Sequence, residues 1–258
     1  AKAIGPNGEI DWNGDGVFND CNGNYRETSV RINTGWFPLI RDKNRFASTK
    51  FSPAIAGIPG ATPRLWLFYK NSKGILKAAA GPSPQELKGF RDLFKKDVDV
   101  SKSDVDLFSS PTAIPYDTVT YGQVVSSPSV VVIGGNPRVY FRAASGHILR
   151  ITLSLSGTTV AKATTDVLHT PTAVTKFCDP AAAYHEATDN LFVVARDCTT
   201  NALYRYKSDQ WTALNETSFV RPGLAFDKSG TTYLVGAKTP DVNQTDICDQ
   251  NGILLVFD

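Results

Sequence analysis

The chain has 258 residues, with 27 Lys and Arg against 25 Asp and Glu, a net charge of +2 and four cysteines. That length buries a core without staples, and the near balance of charge leaves no electrostatic footprint for nucleic acid or an anionic membrane. No apolar stretch approaches the roughly 20 residues of a membrane span, and runs such as Val130 to Ile133 suit buried strands instead. Beginning at Ala1 with no Met anywhere, the sequence reads as a mature or excised piece of a precursor.

In chain order, residues 1–35 form an Asx- and Gly-rich segment that ends in Thr28 to Ile32, a candidate strand. Residues 36–258 then carry four imperfect copies of one plan. Each copy has a short strand led by Pro, an apolar and aromatic strand, and a third strand after a turn. The first copy runs through Ser52 to Ala56, Arg64 to Tyr69 and Gly74 to Lys77. An insert of about 79–125 follows. In it, Ser83-Pro84-Gln85-Glu86 starts a helix, with Ser as N-cap, Pro at the first helical position and Glu two residues on. Leu87, Phe90, Leu93 and Phe94 continue it at helical spacing. The rest, Thr112 to Val125, is free to supply strands of a further sheet.

The second copy covers Ser127 to Val132, Arg138 to Arg142 and His147 to Arg150. The third covers Asp179 to Tyr184, Asn190 to Val194 and Ala202 to Arg205; the fourth covers Arg221 to Phe226, Thr231 to Val235 and Gly252 to Leu255. From Pro to the first apolar residue of the second strand is twelve positions in the first copy (Pro53 to Leu65). It is eleven in the others (Pro128 to Val139, Pro180 to Leu191, Pro222 to Tyr233). Pro sits at the head of the first strand, where its missing N–H costs no ladder bond. Repeated small sheets, none able to bury both faces alone, predict an all-β fold. The expectation is a β-propeller of four to five blades, with an N-terminal calcium-loop segment and one short inserted helix. The fourth copy lacks an outer strand, and Thr28 to Ile32 is the candidate to close the ring.

Asp11-Trp12-Asn13-Gly14-Asp15-Gly16-Val17-Phe18-Asn19-Asp20 is the sharpest local motif. Hard cations take oxygen ligands. Asp11, Asn13 and Asp15 present three at alternate positions, Gly16 permits the turn, and Val17 offers its carbonyl. Asn19 and Asp20 complete the expected shell, so Ca2+ is the expected cofactor. The first half matches an EF-hand loop, but Asn22 stands where a sensor loop has Glu, and no helix pattern flanks it. The loop resembles the calcium loops of secreted bacterial proteins, which implies a structural ion pinning the leading segment.

The four cysteines lack C-x-x-C spacing, so two disulfides in an oxidising compartment are expected. Cys178 opens one strand and Cys198 closes its antiparallel neighbour, which brings them together. Cys21 and Cys248 remain for the second bridge.

No catalytic constellation stands out. His147, His169 and His185 lack metal-ligand spacing, and no G-x-S-x-G elbow is present. Asp227-Lys228-Ser229-Gly230-Thr231 approaches a sialidase-like Asp-box without its Trp or spacing. Carboxylates are plentiful, but nothing singles out a glycosidase pair.

In the third copy, Pro180-Ala181-Ala182-Ala183, Leu191 to Asp197, Ala202-Leu203-Tyr204 and Trp211 resemble a blade of the bacterial propeller lectins. Only this copy has the closing Trp, and the first copy lacks the Arg. The resemblance implies sugar sites between adjacent blades, with Trp66, Tyr140, Arg142, Arg196, Tyr204 and Trp211 as ligand-binding candidates. The reading is therefore a secreted or cell-surface, calcium-stabilised, non-catalytic binding module. Its expected partner is a glycan or an extracellular protein. Two other readings compete: a protease-associated accessory domain of a larger secreted enzyme, and a propeller glycoside hydrolase.

Overall fold

The computed structural model describes residues 41–42, 45–46, 52–59, 63–81, 108–172, 175–237 and 252–257. The calcium-loop residues Asp11, Asn13, Asp15, Val17, Asn19 and Asp20 lie outside them. So do Cys21 and Cys248, the candidate strand 28–32 and the expected helix from Ser83.

Strands dominate the described residues. A two-stranded ribbon (β1 Arg41–Asp42, β2 Arg45–Phe46) precedes four antiparallel sheets. Sheet 1 is β3 (Ala54–Ile58), β4 (Arg64–Lys70), β5 (Leu76–Ala80) and β6 (Ser109–Ala113). Sheet 2 is β7 (Ser129–Ile133), β8 (Asn136–Arg142), β9 (Ile148–Ser156) and β10 (Thr159–His169). Sheet 3 is β11 (Phe177–His185), β12 (Asn190–Asp197), β13 (Ala202–Lys207) and β14 (Gln210–Thr217). Sheet 4 is β15 (Gly223–Phe226), β16 (Thr232–Ala237) and β17 (Gly252–Phe257). Each described sheet is a simple meander, every strand pairing with its sequence neighbour.

The second strands of sheets 1 to 3 carry apolar runs at their centres because both of their faces are buried, whereas β16 leaves Val235 exposed. Trp66 and Phe68 of β4 pack with Leu76 and Ala78 against Val139, Phe141, Leu149, Ile151 and Leu153 of sheet 2. The opposite face of β4 buries Leu67 and Tyr69 with Ala79 and Phe108. Tyr140, on the other face of β8, packs with Ile148 against Phe177, Val193 and Ala195 of sheet 3. Phe192 and Val194 face Leu234 of sheet 4. The sheets therefore stack face to face in chain order. Each fully buried Val, Leu, Ile or Phe contributes roughly 1.5–3 kcal/mol.

The first strands β3, β7, β11 and β15 lie side by side in that order. Their small residues, Ala54, Ala56, Ala181, Ala182 and Gly223 among them, permit this approach. Side chains stitch the strands together. The Ala182 N–H donates to Ser129 Oγ at 3.0 Å, and the Ser52 N–H donates to Ser127 Oγ at 3.0 Å.

The ladders revise the spacing count. The residue after each leading proline (Ala54, Ser129, Ala181, Gly223) pairs with Phe68, Tyr140, Val194 and Val235 respectively. Val139 is thereby equivalent to Leu67, Val193 and Leu234, not to Leu65, Leu191 and Tyr233. The copies differ in the length of the first turn. It is two residues in sheet 2, where Gly134 (φ 57°) and Gly135 (φ 76°) supply the positive φ that a tight hairpin needs. Sheet 3 uses a 3-10 turn, Glu186–Thr188, and then Asp189.

Three further differences concern strand count and bounds. The first three sheets have a fourth, outer strand that the triplet pattern does not reveal. The segment read as an insert begins inside β5 and contains β6. Among its described residues beyond β6 no further sheet forms: Thr118–Tyr121 is a single helical turn, α1, whose N-cap Asp117 accepts from the Val119 and Thr120 N–H groups. In sheet 3 the proline is not at the strand head. Pro180 lies inside β11, where a bulge between Cys178 and Ala181 absorbs its missing N–H and Asp179 takes φ 45°.

Asp227 is turn chemistry. Its Oδ1 accepts from Ser229 N, Ser229 Oγ and Thr231 N, and its Oδ2 accepts from the Tyr233 hydroxyl at 3.3 Å. The Ser229 hydroxyl leads the bonds that hold its carboxyl at about 2, against a smaller opposing effect of burial. Among the described residues, no helix is long and apolar enough to cross a membrane.

Candidate functional site

Cys178 and Cys198 form a disulfide, with Cα atoms 5.3 Å apart. It ties the head of β11 to the turn that follows β12. Asp197 organises that turn from below, accepting from Thr199 N (2.8 Å), Thr200 N (2.7 Å), Thr200 Oγ1 (3.0 Å) and Lys176 N (3.2 Å). Burial alone would raise its carboxyl, but these bonds from Thr200, Thr199 and Lys176 outweigh it and hold the group below the usual range.

Three arginines converge on the three consecutive residues that the disulfide fixes. Arg142, ending β8, points Nη1 at Cys178 Sγ, 3.5 Å away. Arg196, in β12, reaches Asp179 Oδ2 at 3.5 Å and Asn201 Oδ1 at 2.6 Å. Arg221, ahead of β15, donates from Nη2 to Pro180 O and to Pro128 O, each at 3.1 Å. Burial draws the Arg221 proton affinity down, and the Asp179 carboxylate works against that shift. The Nε atoms of Arg142 and Arg196 are buried without a hydrogen-bond partner. The ladders explain why two of these arginines coincide. Arg142 and Arg196 lie two positions beyond the equivalent residues Tyr140 and Val194, and Lys70 takes the same place in sheet 1.

Farther along the seam between sheets 2 and 3 runs a mixed aromatic and charged row. Tyr184, Tyr206 and Trp211 pack against the buried cluster there while keeping part of their surface in solvent. Tyr206 and Trp211 have ring centroids 5.2 Å apart. Arg150 is held by Asp166, with Nε 3.1 Å and Nη2 3.0 Å from Oδ2. Arg138 lies close enough to Tyr140 and Tyr184 to act on both hydroxyls. Burial leads in pushing the Tyr206 hydroxyl up to about 12; its bond to Asp209 at 2.8 Å adds to the shift.

The six ligand candidates fall into three groups. Trp66 (2 % exposed) and Tyr140 (0 %) are closed between sheets and offer a ligand no surface. Tyr204 and Trp211 are half-buried around Phe177, with centroids 5.0 and 4.5 Å from it, and the Trp211 indole N–H donates to Leu168 O at 2.8 Å. Arg142 and Arg196 meet at the head of β11. Sequence reasoning missed Arg221, Arg138, Arg150 and Tyr206. Arg221 carried a signal, since it precedes the leading proline where the other copies have Ser52, Ser127 and Asp179.

Among the described residues, no three His, Cys, Asp or Glu side chains gather as a metal would require.

No protein-family model matches the chain, and no curated protein matches it. Among solved structures, it is similar to a GH43 glycoside hydrolase engineered at its active site to display both endo-xylanase and exo-arabinofuranosidase activity. The TM-score is 0.43 at 8% identity, over 78% of this chain and 37% of that one. The chain thus spans little more than a third of that enzyme's length.

Proposed function

We propose that this chain is a secreted β-propeller module that binds glycans, with the open edge of the seam between sheets 2 and 3 as the sugar site. Support for the propeller comes from the side-by-side first strands and the face-to-face stacking of sheets in chain order. The Cys178–Cys198 bridge is compatible with an oxidising compartment.

The observation that carries the sugar site is the row of half-buried rings, Tyr184, Tyr206 and Trp211, beside Arg138, Arg150 and Asp166. A pyranose has apolar C–H faces and a rim of hydroxyls. Partly exposed rings accept the faces, and fixed charged groups accept or donate to the rim. Calcium belongs to the same reading, held by Asp11, Asn13, Asp15, Asn19, Asp20 and the Val17 carbonyl, and it stabilises the leading segment.

The test is a glycan array on the intact chain, followed by calorimetry with any glycan retained. A Tyr206→Ala, Arg150→Ala double variant that melts cooperatively is expected to lose that binding. Retention of no glycan by the parent chain overturns the reading, and so does undiminished binding by the folded variant. Separately, calcium is expected to raise the melting temperature relative to chelator; no difference removes the metal from the proposal.

A further inference from the structure

The arginine cluster at the head of β11 does something the seam reading does not use. Three guanidiniums address Cys178, Asp179 and Pro180, while the carboxylate among those three residues is Asp179 alone. Arg196 meets it at 3.5 Å, well short of a tight ion pair. Arg142 finds only a disulfide sulfur, a weak acceptor. Arg221 spends its donors on two main-chain carbonyls. Two buried Nε donors stay unmatched, an arrangement that folding stability disfavours. Asp179 takes φ 45° at the bulge beside the disulfide, in the left-handed region that Asp enters more readily than most residues. Side chains of Arg196 and Asp179 keep 17% and 28% of their surface, so solvent reaches the group.

We propose that this head of β11 is a carboxylate-binding site. A ligand carboxylate enters between Arg142 and Arg196, with Arg221 behind, and Asp179 is the internal competitor that holds the place when no ligand is bound. Planar guanidiniums match a carboxylate in two-point fashion, and the disulfide fixes the strand head that all three address. The carboxylate belongs either to a small acid or to an acidic polymer, and the experiment separates these sources.

The intact chain is titrated by calorimetry with sodium citrate, galacturonate and polygalacturonate, with glucose as the uncharged probe, at low and high sodium chloride. Citrate is expected to bind, glucose not, and salt to weaken the binding. Arg142→Gln and Arg196→Gln are each expected to weaken it roughly tenfold, the range for a hydrogen bond to a charged group. Asp179→Asn is expected to tighten it, because the competitor is gone. Lys228→Gln, on an exposed turn, is expected to change nothing. Tighter binding of polygalacturonate than galacturonate identifies a polymer; parity identifies a small acid. Melting curves establish that each variant folds, and Arg142→Gln carries the test alone if Arg196→Gln does not. The proposal is overturned if the parent chain binds neither citrate nor either uronate. It is also overturned if Asp179→Asn fails to tighten binding, or if folded Arg142→Gln binds as well as the parent.

Discussion

The two seams that flank sheet 2 are built from the same repeat and yet differ in kind. Toward sheet 1, Trp66, Phe68, Val139, Phe141, Leu149, Ile151 and Leu153 close a dry interface with no charged side chain in the cluster. Toward sheet 3, Tyr140, Tyr204 and Tyr206 take the ladder positions of Phe68, Leu149 and Ile151, with Trp211 beside them; Arg138 and Arg150 approach the Tyr140 hydroxyl, and Arg150 that of Tyr206. Alternation along β8 makes this possible: Val139 and Phe141 point one way, Arg138, Tyr140 and Arg142 the other. One strand thus serves two purposes, and the seam that gives up apolar area is the one with rings and charges left at the surface.

That contrast can be broken by substitution. Phe141→Ala, in the dry seam, is expected to cost about 3–5 kcal/mol, read as a lowered urea midpoint. A destabilisation below about 1 kcal/mol would mean that the two seams are not distinct. Removing the disulfide with Cys178→Ala and Cys198→Ala is expected to cost about 3 kcal/mol, given its separation of 20 residues. The same loss should follow reduction of the parent chain.

Asp197→Ala strips the partner from the N–H groups of Thr199, Thr200 and Lys176, at a cost of roughly 1–3 kcal/mol. The acid group also sets a pH dependence. Its folded-state proton affinity is depressed, so its contribution is complete above the ordinary carboxylate value of about 4 and is lost as pH falls through the folded value. Thermal melts from about pH 6 down to about pH 2 should show a steeper decline for the parent than for Asp197→Asn. The smallest effect is expected for Tyr206→Phe, which removes an exposed bond to Asp209 and should leave stability within about 0.5 kcal/mol. In the wet seam that variant should alter sugar binding while the melting curve stays put.

Much of this architecture could be read from the residues. The apolar second strands, the first strands led by a proline in sheets 1, 2 and 4, and the bridge between Cys178 and Cys198 all follow from local chemistry. The outer strands did not follow. Thr159–His169 and Gln210–Thr217 are edge strands, largely solvated and rich in Thr, so they carry no apolar run to mark them. Register also escaped, because counting from the proline crosses turns of unequal length: the count is two residues off in sheets 1 and 3, which keeps the face, and one residue off in sheet 4, which reverses it. Arg142 and Arg196 were singled out as ligand candidates between blades, but their shared place at one end of the sheets is visible only in the ladders. Arg221 contacts carbonyls 93 and 41 residues away, a distance at which no local pattern speaks.

Those two bonds from Arg221 have a temporal side. The residue lies ahead of the last sheet, while the carbonyls it fastens belong to the heads of the second and third. During synthesis, sheets 2 and 3 emerge before Arg221 does, so the trio of guanidiniums is complete only once the chain has been made through that residue. A chain halted earlier presents Arg142 and Arg196 without the clasp that spans the heads of the two sheets.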